Sequence, residues 1–291
     1  MKDHFQIAAP ALVLALFVSA IFALPIEFDA GGRELPKFEK AVEARAREFI
    51  ERLNLSAEEM DTIHIVVAYS REEFHRKSRG GIPDWGVGAA IPAKGEIILL
   101  LREGSESPRS LNLVAHEMGH VFLHRKTGGI YIPRWFDEGF CQWVEGPMEF
   151  SKSSRLARAV LFGNTIPLAD LDRVNSWNAD QAQLAYAESR AAFDYVLELT
   201  GGRVDYLIRS IAEHRDFQSG FEAALGMSLS RFYAEWSIER GRRFNWSLLF
   251  ADWRVIFALI TLLFLVLGSI KLIKIRRRKL AEEDEETQAH S

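Results

Sequence analysis

The stretch from Val255 to Ile270 is apolar throughout, and six basic residues follow between Lys271 and Lys279. No other feature limits the chain as strongly. With Leu272 and Ile273 the run reaches bilayer-spanning length, provided that Lys271 carries its ammonium out to the interface. Trp246 and Trp253 stand where an interfacial aromatic belt belongs. The reading is a transmembrane helix over residues 253–273 and a charged cytoplasmic tail over 274–291. The basic cluster puts that tail on the cytoplasmic side and everything before the helix outside the cytoplasm. Glu282 to Glu286 reads as a solvated acidic end. At the other terminus, Ile7 to Leu24 is apolar apart from Pro10 and Ser19. Residues 1–25 are either a signal peptide or an N-terminal membrane anchor.

Between these ends the pattern changes from mixed to helical. Phe38, Val42, Ala46, Phe49, Ile50 and Leu53 recur at helical spacing over Leu35–Leu53. Thr62–Tyr69 is β-branched and short, a strand, and Ser70 is placed to cap a short helix to Lys77. Gly86–Ile91 and Glu96–Leu101 read as strands of a hairpin turned by Pro92 to Gly95. Helices are then predicted over Ser110–Lys126, Pro133–Glu145, Ser153–Leu161, Ala179–Leu199, Val204–Glu213, Phe217–Leu225 and Ser230–Arg240. The expected fold class is α+β: a small mixed-sheet subdomain over 30–127, then an all-helical subdomain over 128–245. A net charge of −4 without an internal basic stripe gives no reason to expect a nucleic-acid partner. The single cysteine, Cys141, excludes an intramolecular disulfide and a thiolate metal cluster, and is read as a small buried apolar residue.

The chemistry centres on His116-Glu117-Met118-Gly119-His120. Histidines at i and i+4 share one helix face about 6 Å apart, so both imidazoles can reach one ion. Glu117 points beside that ion, where a water would give up its proton. His124 continues the same face, but it lies about 12 Å along the axis from His116, too far to share the ion. It suits the helix C-terminus as a favourable charge. A catalytic zinc takes three protein ligands and keeps one open position, so a third must come from elsewhere. On the next helix Phe136, Phe140, Trp143 and Val144 form the apolar face. Asp137 and Glu138 flank it, with Glu145 near Glu138, and periodicity does not choose among the three.

Ala115-His116-Glu117-Met118-Gly119-His120, followed by Pro133-Arg134-Trp135-Phe136-Asp137-Glu138-Gly139, resembles the peptidase MA-like family of gluzincin zinc metallopeptidases. Phe136 stands where the family usually has Leu. Ala185-Tyr186-Ala187-Glu188-Ser189 and the segment from Phe221 to Trp236 extend the similarity, which covers roughly residues 60 to 240. The resemblance implies one Zn2+ per chain on His116, His120 and Glu138, with Glu117 as general base. It also implies Tyr186 as a hydrogen-bond donor to the developing oxyanion, and Asp137 as a partner of a ligand histidine. Glu145, two turns beyond Glu138, is expected to have little bearing on the metal. A peptide or protein substrate is expected to add a strand along Gly86–Ile91, whose glycines leave room for another backbone. The implied activity is peptide-bond hydrolysis beside a membrane. The competing reading is a catalytically inactive relative that binds a protein partner.

Overall fold

The computed structural model describes residues 25–53, 61–79, 86–101, 108–176, 178–245 and 253–289. Four strands, β1 (Ile26–Asp29), β2 (Ile63–Ala68), β3 (Gly88–Ile91) and β4 (Glu96–Leu100), form one sheet in the order β1-β2-β4-β3. β1 and β2 are parallel, as are β2 and β4, whereas β3 runs antiparallel to β4 and lies at the edge. The predicted hairpin is present, turned by Pro92–Lys94 with Gly95 in the left-handed region. β1 is the departure from expectation, because the sheet begins ahead of residue 30. Its four residues carry too short an alternation to be recognised locally, and their partner in β2 is more than 30 residues away.

β2 and β4 are covered on both faces. One face packs Ile65, Val67, Ile97 and Leu99 into the main core with α1 (Pro36–Leu53) and α3 (Pro108–Lys126). The other face meets Phe74 of α2 (Arg71–Lys77), whose first turn is capped by the Ser70 hydroxyl accepting from Glu73 N at 3.1 Å. α3 starts at Pro108, two residues earlier than predicted. Proline suits a first helical turn, where its missing N–H is no loss.

The helical half holds α4 (Arg134–Glu145), α5 (Phe150–Phe162), α6 (Ala179–Leu199), α7 (Val204–His214), α8 (Phe217–Leu225) and α9 (Leu229–Arg243). A 3-10 segment, Leu168–Ser176, was not legible as an element. Trp135 and Phe136 of α4 join Phe193, Phe217, Phe221 and Phe232 in an aromatic cluster that ties α4 to α6, α8 and α9. One continuous hydrophobic cluster runs through both halves. Burying aromatics of this size supplies about 1.5–3 kcal/mol each, so α4 is held firmly on its apolar side. Its carboxylates at 137, 138 and 145 are left to face α3.

The terminal helix α10 (Trp253–Ala289) contains a stretch, Ile256–Arg276, of 21 residues that is long and apolar enough to cross a membrane. It is the only such helix among the described residues. The apolar N-terminal run expected over residues 1–25 lies outside the described residues, apart from Pro25.

Candidate metal centre

α3 and α4 pack side by side, Gly119 against Cys141 and Phe122 stacked on Phe140, and their polar residues meet in the same interface. The rings of His116 and His120 stand one turn apart, centroids 4.9 Å from each other, and their Nε2 atoms approach to 3.2 Å. Each outer nitrogen meets a carboxylate from α4: His116 Nδ1 and Glu145 Oε1 at 2.6 Å, His120 Nδ1 and Asp137 Oδ1 at 2.8 Å. The later residue of α4 meets the earlier residue of α3, so the helices run antiparallel here. Glu138, between these two, brings Oε2 to 3.2 Å from His116 Nε2.

Hydrogen placement follows from the partners. An ionised carboxylate only accepts, so each Nδ1 carries the hydrogen and, in the neutral ring, each Nε2 is left with a lone pair. Two imidazole lone pairs and one carboxylate oxygen then converge, and the donor atoms of His116, His120 and Glu138 all lie within 4.8 Å of one another. Glu138 Oε2 is buried and has no hydrogen-bond partner. Three acceptors facing one another with no hydrogen between them repel, and a buried unpaired carboxylate oxygen is costly. A cation removes both penalties, so the donor set fits a metal ion of the kind that accepts nitrogen and oxygen ligands.

The electrostatics agree. Burial pulls the His116 pKa down, but the Glu138 and Glu145 carboxylates beside it outweigh that and hold the group well above the imidazole range. Burial likewise opposes His120, and the Asp137 carboxylate prevails, raising it. The pocket therefore demands positive charge, whether from protons or from an ion. Glu138 shows the complement. Burial alone would raise it, yet the Arg134 guanidinium and His116 keep it well below the usual carboxylate range.

Glu117 is buried on the side of α3 that faces the edge strand, and burial raises its pKa. The Ala90 backbone hydrogen-bonds its carboxylate. A Cβ on Gly88 would come within 2.6 Å of Glu117 Oε1 and 2.8 Å of Leu113 Cδ1. The absent side chain at residue 88 thus makes room for Glu117 and Leu113 of α3. This differs from the expectation that the strand glycines leave room for a substrate backbone.

Tyr186 reaches the centre from α6. Its pKa is pushed up, first by burial and then by the Glu138 charge, so the phenol stays protonated. Arg134 hydrogen-bonds Tyr186 and, through Nη2, Glu138 Oε1 at 2.7 Å. The close packing of α4 on α6 needs Gly139, where a Cβ would meet Ser189 O at 2.5 Å and Phe193 Cβ at 2.7 Å.

The structure brings His116, Glu117, His120, Glu138 and Tyr186 together, and puts Asp137 on His120 as expected. Cys141 is buried and its thiol is pushed well up by that burial, which fits the packing role expected of it. For Glu145 the expectation left out a contact. The residue stands outside ligand range, but it holds His116 in place. Sequence reasoning also missed Arg134, although its i, i+4 spacing to Glu138 is a visible signal for an ion pair. Asp172 was missed too. It accepts from Arg134 N at 2.9 Å and so caps α4, whose N-cap residue, Pro133, offers no side-chain bond. No local pattern announces a cap supplied from 38 residues away.

A comparison with curated proteins gives no match. The family model described as Peptidase MA superfamily matches residues 76–239, which is 164 of the 291 residues and includes both helices of the centre. The chain belongs to the peptidase MA superfamily.

Proposed function

We propose that the chain is a membrane-anchored zinc metallopeptidase that hydrolyses peptide bonds in peptide or protein substrates. The observation that carries this is the convergence of His116 Nε2, His120 Nε2 and the unpartnered Glu138 Oε2 beside the buried carboxylate of Glu117. In the proposal His116, His120 and Glu138 hold one Zn2+. When bound, zinc supplies Lewis acidity toward water and toward a carbonyl oxygen. Glu117 takes the proton of the attacking water and later returns it to the leaving amine. A raised pKa brings a carboxylate closer to the working pH, where such exchange is efficient. Tyr186, kept protonated, donates to the oxyanion that forms on the scissile carbonyl. Asp137 and Glu145 orient the two ligand rings.

The substrate pairs with β3. Val87 O accepts from Leu100 N, so residues 87, 89 and 91 turn their backbone groups to β4, and 88 and 90 turn theirs outward. The Ala90 backbone serves Glu117, which leaves Gly88, beside the Glu117 carboxylate, to pair with an incoming strand. Residues 30–127 and 128–245 serve as the two cooperating subdomains. The span within α10 anchors the chain, with its basic end cytoplasmic and the centre outside. A reporter fused after Ser291 that works only outside the cytoplasm would overturn this orientation.

Metal analysis of the purified chain is the direct test of the centre. One zinc per chain is expected, lost in Glu138→Ala at unchanged circular dichroism. Wild-type protein without stoichiometric zinc after reconstitution would sink the proposal.

A further inference from the structure

Arg134 touches two groups of the centre, and the sequence motif assigns it no role. It opens α4 one turn before Glu138, its backbone N–H is fixed by Asp172, and about a third of its side chain remains open to solvent. Its guanidinium contacts Glu138 Oε1 but not Oε2, the oxygen that faces His116. It also hydrogen-bonds the Tyr186 side chain.

Donor and acceptor rules give these contacts a direction. A guanidinium has five N–H donors in a rigid fork and no acceptor. With Oε1 engaged in a charge-assisted bond and Oε2 unpartnered beside His116, the arrangement favours ligation through Oε2 alone. At Tyr186 the guanidinium must donate, so the phenol oxygen accepts and its hydrogen has to point away from Arg134. A lysine could replace the charge but not the geometry, because an ammonium is a point donor without the planar fork.

We propose that Arg134 is a positioning residue of this centre, a bridge that assigns one oxygen of Glu138 to the metal and turns the Tyr186 hydroxyl hydrogen toward the cleft. This rests on the reading of Glu138 as a metal ligand. The same guanidinium sets both the ligation and the hydrogen-bond donor, so the two are coupled through one side chain.

The test uses the full chain purified in detergent, with zinc affinity measured by chelator competition and geometry by the absorption spectrum of the Co2+ form. Acetohydroxamic acid, titrated against the Co2+ spectrum, probes the donor at Tyr186. Arg134→Met is expected to lower zinc affinity about 10–100-fold, the range for removing a group that orients a ligand, and to alter the Co2+ spectrum. Arg134→Lys is expected to recover most of the zinc affinity yet to bind acetohydroxamate as weakly as Tyr186→Phe does. Combining Arg134→Lys with Tyr186→Phe should add no further loss of acetohydroxamate binding. If Arg134→Met keeps wild-type zinc affinity and spectrum, or Arg134→Lys binds the hydroxamate like wild type, the bridge is wrong while the centre stands. If the wild type takes up no metal, or Glu138→Ala retains it, the reading of the centre falls and this proposal falls with it. Arg134→Lys preserves the charge beside Glu138, so it keeps the comparison decisive even where Arg134→Met unfolds.

Discussion

α3 and α4 lie side by side and share one centre, yet they are built on different rules. α3 delivers its part by local geometry alone, because the i, i+4 spacing puts His116 and His120 on one face whatever surrounds the helix. α4 delivers by tertiary placement. Its carboxylates at 137, 138 and 145 point to three different atoms of the centre, and which atom each reaches depends on how α4 crosses α3. The difference shows what a motif encodes. A candidate ligand pair within one turn is specified by spacing, whereas the proposed third ligand and the groups that orient the rings are specified by packing.

The comparison breaks most sharply at Glu117, the one α3 residue assigned chemistry rather than ligation. Glu117→Gln should keep the metal and the fold while slowing hydrolysis by ~10²–10⁴-fold or more. Peptide-library cleavage by the variant at the wild-type rate would remove Glu117 from the mechanism. Next come the orienting carboxylates of α4. Asp137→Asn and Glu145→Gln should each weaken zinc by about 10–100-fold in chelator competition, and by similar amounts, since each fixes one ring. A Glu145→Gln variant with undiminished affinity would restore the expectation drawn from helix rise alone and leave the His116 contact without consequence. The smallest effect is expected at the packing that places α4. Gly139→Ala should lower the thermal midpoint, at a cost of about 1–3 kcal/mol for forcing a methyl into a filled contact. Zinc affinity should fall with it as Glu138 moves with the backbone. A drop in the midpoint with untouched zinc affinity would show that α4 can shift on α6 without disturbing the centre.

Much of the fold was legible. The helix over Pro36–Leu53, the Ser70 cap, the hairpin of β3 and β4, and the helices from α3 to α9 follow from periodicity and turn chemistry. β1 was not, because four residues cannot declare an alternation and its pairing is set by a distant strand. In the centre, the residues within one turn of each other were readable, and Asp137 was placed through the family motif. The contact of Glu145 with His116 was not foreseen because helix rise measures distance along α4 only. Asp137 and Glu145 stand about 12 Å apart along that axis, and the histidine pair fits between them, so both ends of the ruler touch the centre. Asp172 acts through a contact that no single-helix pattern contains, as does Arg134 where it reaches Tyr186, whereas the Arg134–Glu138 pair has a readable i, i+4 spacing that was passed over.

On the proposed reading, the division of the centre between two helices has a consequence for when the molecule becomes dangerous to its neighbours. A chain emerges from synthesis with its N-terminal part first, so the histidines of α3 are present before any carboxylate of α4. Until α4 has docked, the rings have no Asp137 or Glu145 to fix their hydrogens, and Glu138 is not there to complete the proposed ligand set. On the proposed reading, metal capture is then a report of finished folding. On the same reading a nascent or damaged chain is a loose pair of imidazoles, and hydrolytic competence would arrive only with the whole domain.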